Sequence, residues 1–179
     1  TSFLSCSNYD TVCRAIEAIG DIASKGGALV ALRAIFLIIP FLQISNYDTV
    51  RSAIEAIGKI ASGRGALVAL RAIDLIIRFL SPSNYDIVRS APEAIGNVVS
   101  GGVTGVARRA IDLIRFLSSS NYDIESCLWE MTAELLLKIT KYDSKLALDA
   151  INLLVLFLSA SDYKVFKICN AIDKVVSGG

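Results

Sequence analysis

Four glutamates, Glu17, Glu55, Glu93 and Glu130, recur at intervals of 38, 38 and 37 residues, each at the same place in a repeated phrase. Carboxylates held in register attract a row of cations, so the chemistry they suggest is recognition of a basic peptide or an Arg-rich helix. A second polar column, Asp21, Lys59, Asn97 and Glu134, runs beside the first. A third row, Arg33, Arg71 and Arg109 with Arg108 next to it, is of a kind that could contact phosphates. The interleaved Asp74 and Asp112 oppose that use. They favour Arg–Asp pairs along or between helices, worth about 0.3–0.5 kcal/mol each.

Other chemistry finds little support. The chain has no histidine, which removes the commonest general base and metal ligand. "SGGVTGVARR" has glycines but neither the lysine nor the hydroxyl that a phosphate cradle needs. The cysteines Cys6, Cys13, Cys127 and Cys169 form no CxxC pair, so neither a disulfide scaffold nor a zinc site is indicated. No catalytic residue, metal or cofactor is expected, and the chain reads as a non-enzyme. With Lys+Arg 18 against Asp+Glu 17, the formal charge of +1 gives no global attraction to nucleic acid or an anionic membrane.

These columns exist because one unit has been copied. The tyrosines Tyr9, Tyr47, Tyr85, Tyr122 and Tyr163 mark its beginning at spacings of 38, 38, 37 and 41 residues, a solenoid period. Ser7–Leu42 and Ser45–Leu80 share 29 of 36 positions. Each unit reads as two helices. The first opens at "SNYD", where Ser45 is placed to cap it and Asp48, three residues on, to complete a capping box. Val50, Ala53, Ile54, Ile57, Ile60 and Ala61 then follow a helical period. "SGRG" ends this helix through glycines that tolerate left-handed dihedrals. The second helix, from about Ala66 to Leu80, is apolar nearly all round and is expected to be covered on more than one side. The aligned tyrosines are expected to pack beneath the turn. Pro92 stands where other copies have Ile16 and Ile54, and should cost its helix a hydrogen bond and bend it. The mid-helix glycines Gly20, Gly58 and Gly96 cost about 1 kcal/mol each against Ala, which suggests close helix approach.

The stretch "AIDLIIRFLSPSNYDIVRSAPEAIGNVVS" resembles the HEAT and armadillo repeats. The matching residues are Asp48, Val50 and Arg51, then Asp86, Val88 and Arg89, after an apolar helix with a leucine-rich end. The unit has no room for the short extra helix of an armadillo repeat, so the HEAT-like count of two helices is the closer one. The resemblance implies an all-α, right-handed solenoid of about 4.5 repeats, roughly nine helices, as a single domain over residues 1–179. Helix pairs are placed near 28–62, 66–100, 104–140 and 144–177, preceded by a helix at 8–24. It also implies that the "SNYD" helices line a concave face. That face would carry Glu17, Asp21, Glu55, Lys59, Glu93, Asn97, Glu130 and Glu134, in a groove on the order of 40 Å long at a helix spacing of about 10 Å. The armadillo groove Trp is replaced by these glutamates and its Asn is met only by Asn97, so an asparagine ladder is not expected.

Function therefore reads as a protein-binding scaffold for a peptide or helix. The alternatives are a nucleic-acid-binding solenoid using Arg33, Arg71, Arg108 and Arg109, and a self-assembling element whose ends stack. "TSFLS" matches the tail of a second-type helix and "VVSGG" stops where a partner helix is due, which suggests a piece of a longer array or ends that meet other copies. Mean hydropathy is +0.57. However, the most apolar window, Ala28 to Ile44, holds Arg33 and Pro40 and is short for a membrane span. With no basic-then-apolar leader visible, a cytoplasmic setting is expected.

Overall fold

The amphipathic period that follows "SNYD" produces a helix in each of the first three copies. The computed structural model describes residues 8–79, 85–100 and 104–119, with a few single positions beyond them. Six α-helices follow in order: α1 (Tyr9–Lys25), α2 (Ala28–Ile38), α3 (Tyr47–Ala61), α4 (Ala66–Phe79), α5 (Tyr85–Val99) and α6 (Thr104–Ser119). A 3-10 turn at Ile39–Gln43 follows α2. Among the described residues the fold is all-helical. The expected pairs near 28–62 and 66–100 are found as α2–α3 and α4–α5, while those near 104–140 and 144–177 lie mostly outside the described residues.

The helices form two layers. Helices α1, α3 and α5 lie side by side in one, and α2, α4 and α6 succeed one another in the other. Each helix also touches its chain neighbour in the opposite layer, so every unit leans on the units before and after it. Isoleucine fills the space between: Ile16, Ile38, Ile54, Ile57, Ile60, Ile73, Ile76 and Ile95 are 0 % exposed. Complete burial of such a side chain contributes about 1.5–3 kcal/mol.

Two glycines set the spacing of the first layer. A Cβ on Gly20 would stand 3.1 Å from Cβ of Ala56, and one on Gly58 would meet the Cα and carbonyl oxygen of Ala94 at 2.9 Å. The expectation of close approach is thus met at both positions. α3 sits against α5 more tightly than α1 sits against α3, and at Gly58 the obstacle is backbone.

The helix starts differ from the capping-box expectation by one residue. Asn46, not Ser45, caps α3: its Oδ1 accepts the Thr49 N–H at 3.0 Å and the Thr49 hydroxyl at 2.9 Å. Asn8 caps α1 by accepting the Asp10 N–H at 3.1 Å. A carboxamide one residue closer to the helix reaches its free N–H groups, and in copy two it binds a side chain as well. Helix ends differ too. Gly63 takes φ +68° and α3 stops at Ala61. The equivalent residue in copy one is Lys25, whose Cβ disfavours that region, so α1 runs on through it. Gly26 and Gly27 end α1 with extended backbone and no left-handed turn.

The second-type helices are covered on more than one side, as expected, with α4 packed against α2, α3, α5 and α6, but the cover is not complete. Leu29 is 82 % exposed and Phe36 66 %, and Leu67 on α4 is 72 % exposed. α5 continues as an α-helix through the buried Pro92, which has no N–H to donate to Val88. No helix among the described residues is long and apolar enough to cross a membrane.

The contact geometry predicts that Gly58→Ala is destabilising by up to about 2 kcal/mol. Overpacking costs about 1–3 kcal/mol and better helix propensity returns about 1 kcal/mol. Gly20→Ala meets only a methyl group and should be near neutral. Urea unfolding of both variants measures the difference; equal effects would contradict the tighter α3–α5 approach.

Candidate functional site

The solvent face of the first layer carries the polar columns because the opposite face of each helix is committed to the core. Glu17 on α1 and Glu93 on α5 are exposed, and Glu55 on α3 is half-buried between them. Glu130 and Glu134 lie outside the described residues. Between α1 and α3 an open groove of about 350 Å³ is lined by Tyr9, Asp10, Cys13, Glu17, Asp48, Arg51, Ser52 and Glu55. Four carboxylates and one guanidinium therefore face the same space.

Several of these charges are already engaged. Arg51 Nε donates to Glu55 Oε1 at 2.6 Å, one helical turn away, and this bond, then the charge of Glu55, raises the Arg51 pKa. Arg14 Nε lies 3.2 Å from Asp10 Oδ2. Glu17 belongs to the copy in which Cys13 stands where Arg51 stands, so the arginine that engages Glu55 has no counterpart beside it. The identical glutamate column is thus chemically uneven, with Glu17 and Asp48 the most open carboxylates of the groove.

The second column is a link between helices. Lys59 of α3 donates to Asp21 of α1 across the layer. This hydrogen bond, then the charge of Lys59, holds the Asp21 carboxyl below the ordinary aspartate range, with Lys25 adding a smaller pull. Asn97 is exposed at the next position. Asp21 and Lys59, expected among the partner-contacting residues, instead spend their charge on each other. A further link comes from Arg64 after α3. It donates to the carbonyl oxygens of Ser24 and, at 3.4 Å, Ala23, at the C-terminus of α1, where Ala23 also accepts the Gly26 N–H.

On the second layer Arg33, Arg71, Arg108 and Arg109 are exposed. Arg109 of α6 reaches Asp74 of α4 at 3.1 Å and Asp112 of its own helix at 3.5 Å. The expected Arg–Asp pairing is therefore present, between helices and along one.

The groove also contains residues that the sequence reading placed elsewhere. Tyr9 is 51 % exposed and lines the groove, not the underside of a turn, and Tyr47 is half-buried. The buried Cys13 thiol lies 3.8 Å from the Thr49 hydroxyl, so the groove floor joins α1 to α3. The signal for these residues was the recurrence of "NYD" itself. The tyrosine sits at the first helical position, where it can overhang the polar face. Among the described residues no cluster of three or more His, Cys, Asp or Glu could hold a metal ion.

No family model matches the chain, and no curated protein matches it. Its fold is similar to the crystal structures of two engineered proteins from the Northeast Structural Genomics Consortium. One has TM-score 0.58 at 19 % identity, over 98 % of this chain and 46 % of that protein. The other has TM-score 0.59 at 19 % identity, over 97 % of this chain and 78 % of that one. The chain thus spans about half the length of the first. At such identity the likeness is one of fold.

The Asp21–Lys59 link predicts an acid-sensitive contribution to stability. Lys59 lowers the Asp21 pKa only in the folded chain, so the stabilisation is present above the ordinary aspartate pKa and is lost as pH falls through the depressed one. NMR titration should place the Asp21 carboxyl below ordinary aspartates, and Lys59→Met should move it up. An unchanged titration would show that the pair does not form in solution.

Proposed function

We propose that the protein is a non-enzymatic binding scaffold whose partner is a basic peptide or helix lying along the face of α1, α3 and α5. The observation that carries this reading is the groove between α1 and α3, where Asp10, Glu17, Asp48 and Glu55 face one space opposite a single lining cation, Arg51. Pairing with Arg14 and Arg51 satisfies two of the four carboxylates. Glu17 and Asp48 remain for an incoming guanidinium or ammonium, and Tyr9 offers it a ring to stack on.

The two-layer succession of helix pairs supports a longer architecture of the HEAT type. In this reading the chain is a right-handed solenoid of about nine helices, with α1, α3 and α5 on the concave side. Glu93, then Glu130 and Glu134, would extend the acidic row beyond the first groove. We place the protein in the cytoplasm, where a free thiol such as Cys13 stays reduced. Nucleic-acid binding through the arginine row has weaker support, because Asp74 and Asp112 already engage Arg109.

Fluorescence anisotropy with a labelled oligo-arginine peptide tests the proposal. Binding should weaken steeply with salt and fall at least about tenfold, equivalent to ~1.4 kcal/mol, in a Glu17→Lys/Glu55→Lys/Glu93→Lys variant. A labelled oligo-glutamate peptide should not bind. Equal affinity of wild type and variant for oligo-arginine would remove the groove as the site. Binding of a labelled DNA duplex that is lost on Arg33→Glu/Arg71→Glu substitution would favour the second layer instead.

A further inference from the structure

Arg109 shows what an arginine of the second layer does when a carboxylate is in reach: it pairs with Asp74 of α4 and Asp112 of its own helix. The same contact one unit earlier would join Arg71 of α4 to residue 36 of α2, each lying 38 residues upstream. Residue 36 is phenylalanine, so the carboxylate that Arg109 uses is missing for Arg71. Asp74, three residues beyond Arg71 on α4, is already held by Arg109. Arg33 has Phe36 itself at that place. Arg33, Arg71 and Arg78 are all exposed, and none of them pairs with an acid among the described residues. The formal charge of +1 thus conceals a local excess of cations on α2 and α4.

The same helix faces carry large apolar side chains in water. Leu29 precedes Arg33 by four residues and Leu67 precedes Arg71 by four, so each leucine shares a face with its arginine. Phe36 continues the row on α2, three residues beyond Arg33. Stacking does not cover this row. Helix α4 has α2 on one side and α6 on the other, and Leu67 is still 72 % exposed. Leu29 holds the equivalent place on α2, so a further helix at the same spacing would leave it in water too. The third copy departs from the pattern: Gly105 stands where the leucine does, and its arginine is paired. The face that mixes unpaired arginines with exposed apolar groups therefore belongs to α2 and α4.

We propose that the outer face of α2 and α4 binds an anionic phospholipid surface, with Arg33, Arg71 and Arg78 at the headgroup phosphates and Leu29, Phe36 and Leu67 entering the acyl boundary. Charge complementarity selects this occupant. Three guanidinium groups without acids to neutralise them attract anions, and each contributes to binding at a negatively charged bilayer surface. The side chains between them gain only from a layer of low polarity at the same depth, which a lipid interface supplies. A nucleic-acid backbone would satisfy the arginines and leave Leu29, Phe36 and Leu67 in water. The acidic groove lies on the other layer, between α1 and α3, so this proposal does not rest on the peptide-binding reading.

Co-sedimentation of the full chain with phospholipid vesicles tests this. The chain should pellet with vesicles of phosphatidylcholine containing about one third phosphatidylserine, and not with phosphatidylcholine alone. Binding should weaken as salt rises. Leu29→Ser/Phe36→Ser/Leu67→Ser and Arg33→Gln/Arg71→Gln should each lower the partition coefficient at least about tenfold. Phe36→Asp, which installs the residue of copy two and gives Arg71 a carboxylate, should weaken binding by itself. Lys25→Gln removes a cation from the first layer and should bind as wild type. Circular dichroism equal to wild type qualifies each variant, and the wild-type result decides the matter whatever the variants do. A wild type that stays in the supernatant with anionic vesicles overturns the proposal, as does equal binding to neutral ones. Full binding by the Leu29→Ser/Phe36→Ser/Leu67→Ser variant also overturns it, since charge alone would then hold the chain. A labelled DNA duplex bound through Arg33 and Arg71 in the absence of vesicle binding would assign the face to nucleic acid instead.

Discussion

The structure depends on how closely the first-type helices can approach. Gly20 against Ala56 and Gly58 against Ala94 bring the helices together with no more than an alanine methyl group at each contact. Each glycine sacrifices helix propensity of about 1 kcal/mol, so the contact must return more than that through the packing around it. The isoleucines on either side of the seam, Ile16, Ile54, Ile57 and Ile95, are 0 % exposed as a result. The same closeness lets polar side chains act between helices: Lys59 reaches Asp21, Arg64 reaches the end of α1, and the Cys13 thiol lies beside Thr49. A wider layer would break all three.

Close packing also determines what the groove can offer. With α1 and α3 drawn together, Asp10, Glu17, Asp48 and Glu55 share one small volume with Arg51. Carboxylates crowded this way repel one another unless cations intervene, and Arg14 and Arg51 supply part of that compensation from within. Exposed pairs of this kind contribute about 0–1 kcal/mol each, so they are easily exchanged for contacts with a ligand. Duplication copied the glutamates faithfully but not their partners. Arg14 is followed one unit later by Ser52, and Cys13 by Arg51. A column that looks uniform in sequence is therefore a row of sites with different local charge.

Architecture was legible because period and repetition are strong signals. The positions of α1 to α5, the close approach at Gly20 and Gly58, and the Arg–Asp pairing on the second layer all follow from spacing and residue type. Finer features were decided by geometry that spacing does not contain. Ser45 and Asn46 are both good caps, and only the true start of the helix chooses between them. Asp21 and Lys59 read as surface residues of separate units until the layer spacing brings them together. The apolar second-type helices looked more completely covered than they are because hydropathy records composition and not neighbours. Leu29 and Leu67 remain in water in both copies. The groove tyrosine was misplaced for the same reason, since a residue at the first helical position can turn toward the core or over the polar face.

Repetition gives each unit three surfaces with separate obligations. The inner stripe must be apolar to hold the two layers together, and it changes least: Ile16 and Ile54 are identical and equally buried. The polar face varies at Asp21/Lys59, and the groove floor beside it at Cys13/Arg51 and Arg14/Ser52, where Cys13 and Ser52 are buried. The stacking face is constrained only where a neighbour is present. At the end of a stack it should drift toward polar residues, because exposed apolar side chains cost solubility and invite association. Copy one keeps Ile22, Val30 and Leu37 in water, and it has replaced the charges of Asp74 and Arg78 with Phe36 and Pro40. These substitutions make copy one more apolar there than the unit it most resembles. Copying alone accounts for Ile22, Val30 and Leu37, which are inherited residues. It does not account for Phe36 and Pro40, which depart from the copy in the apolar direction.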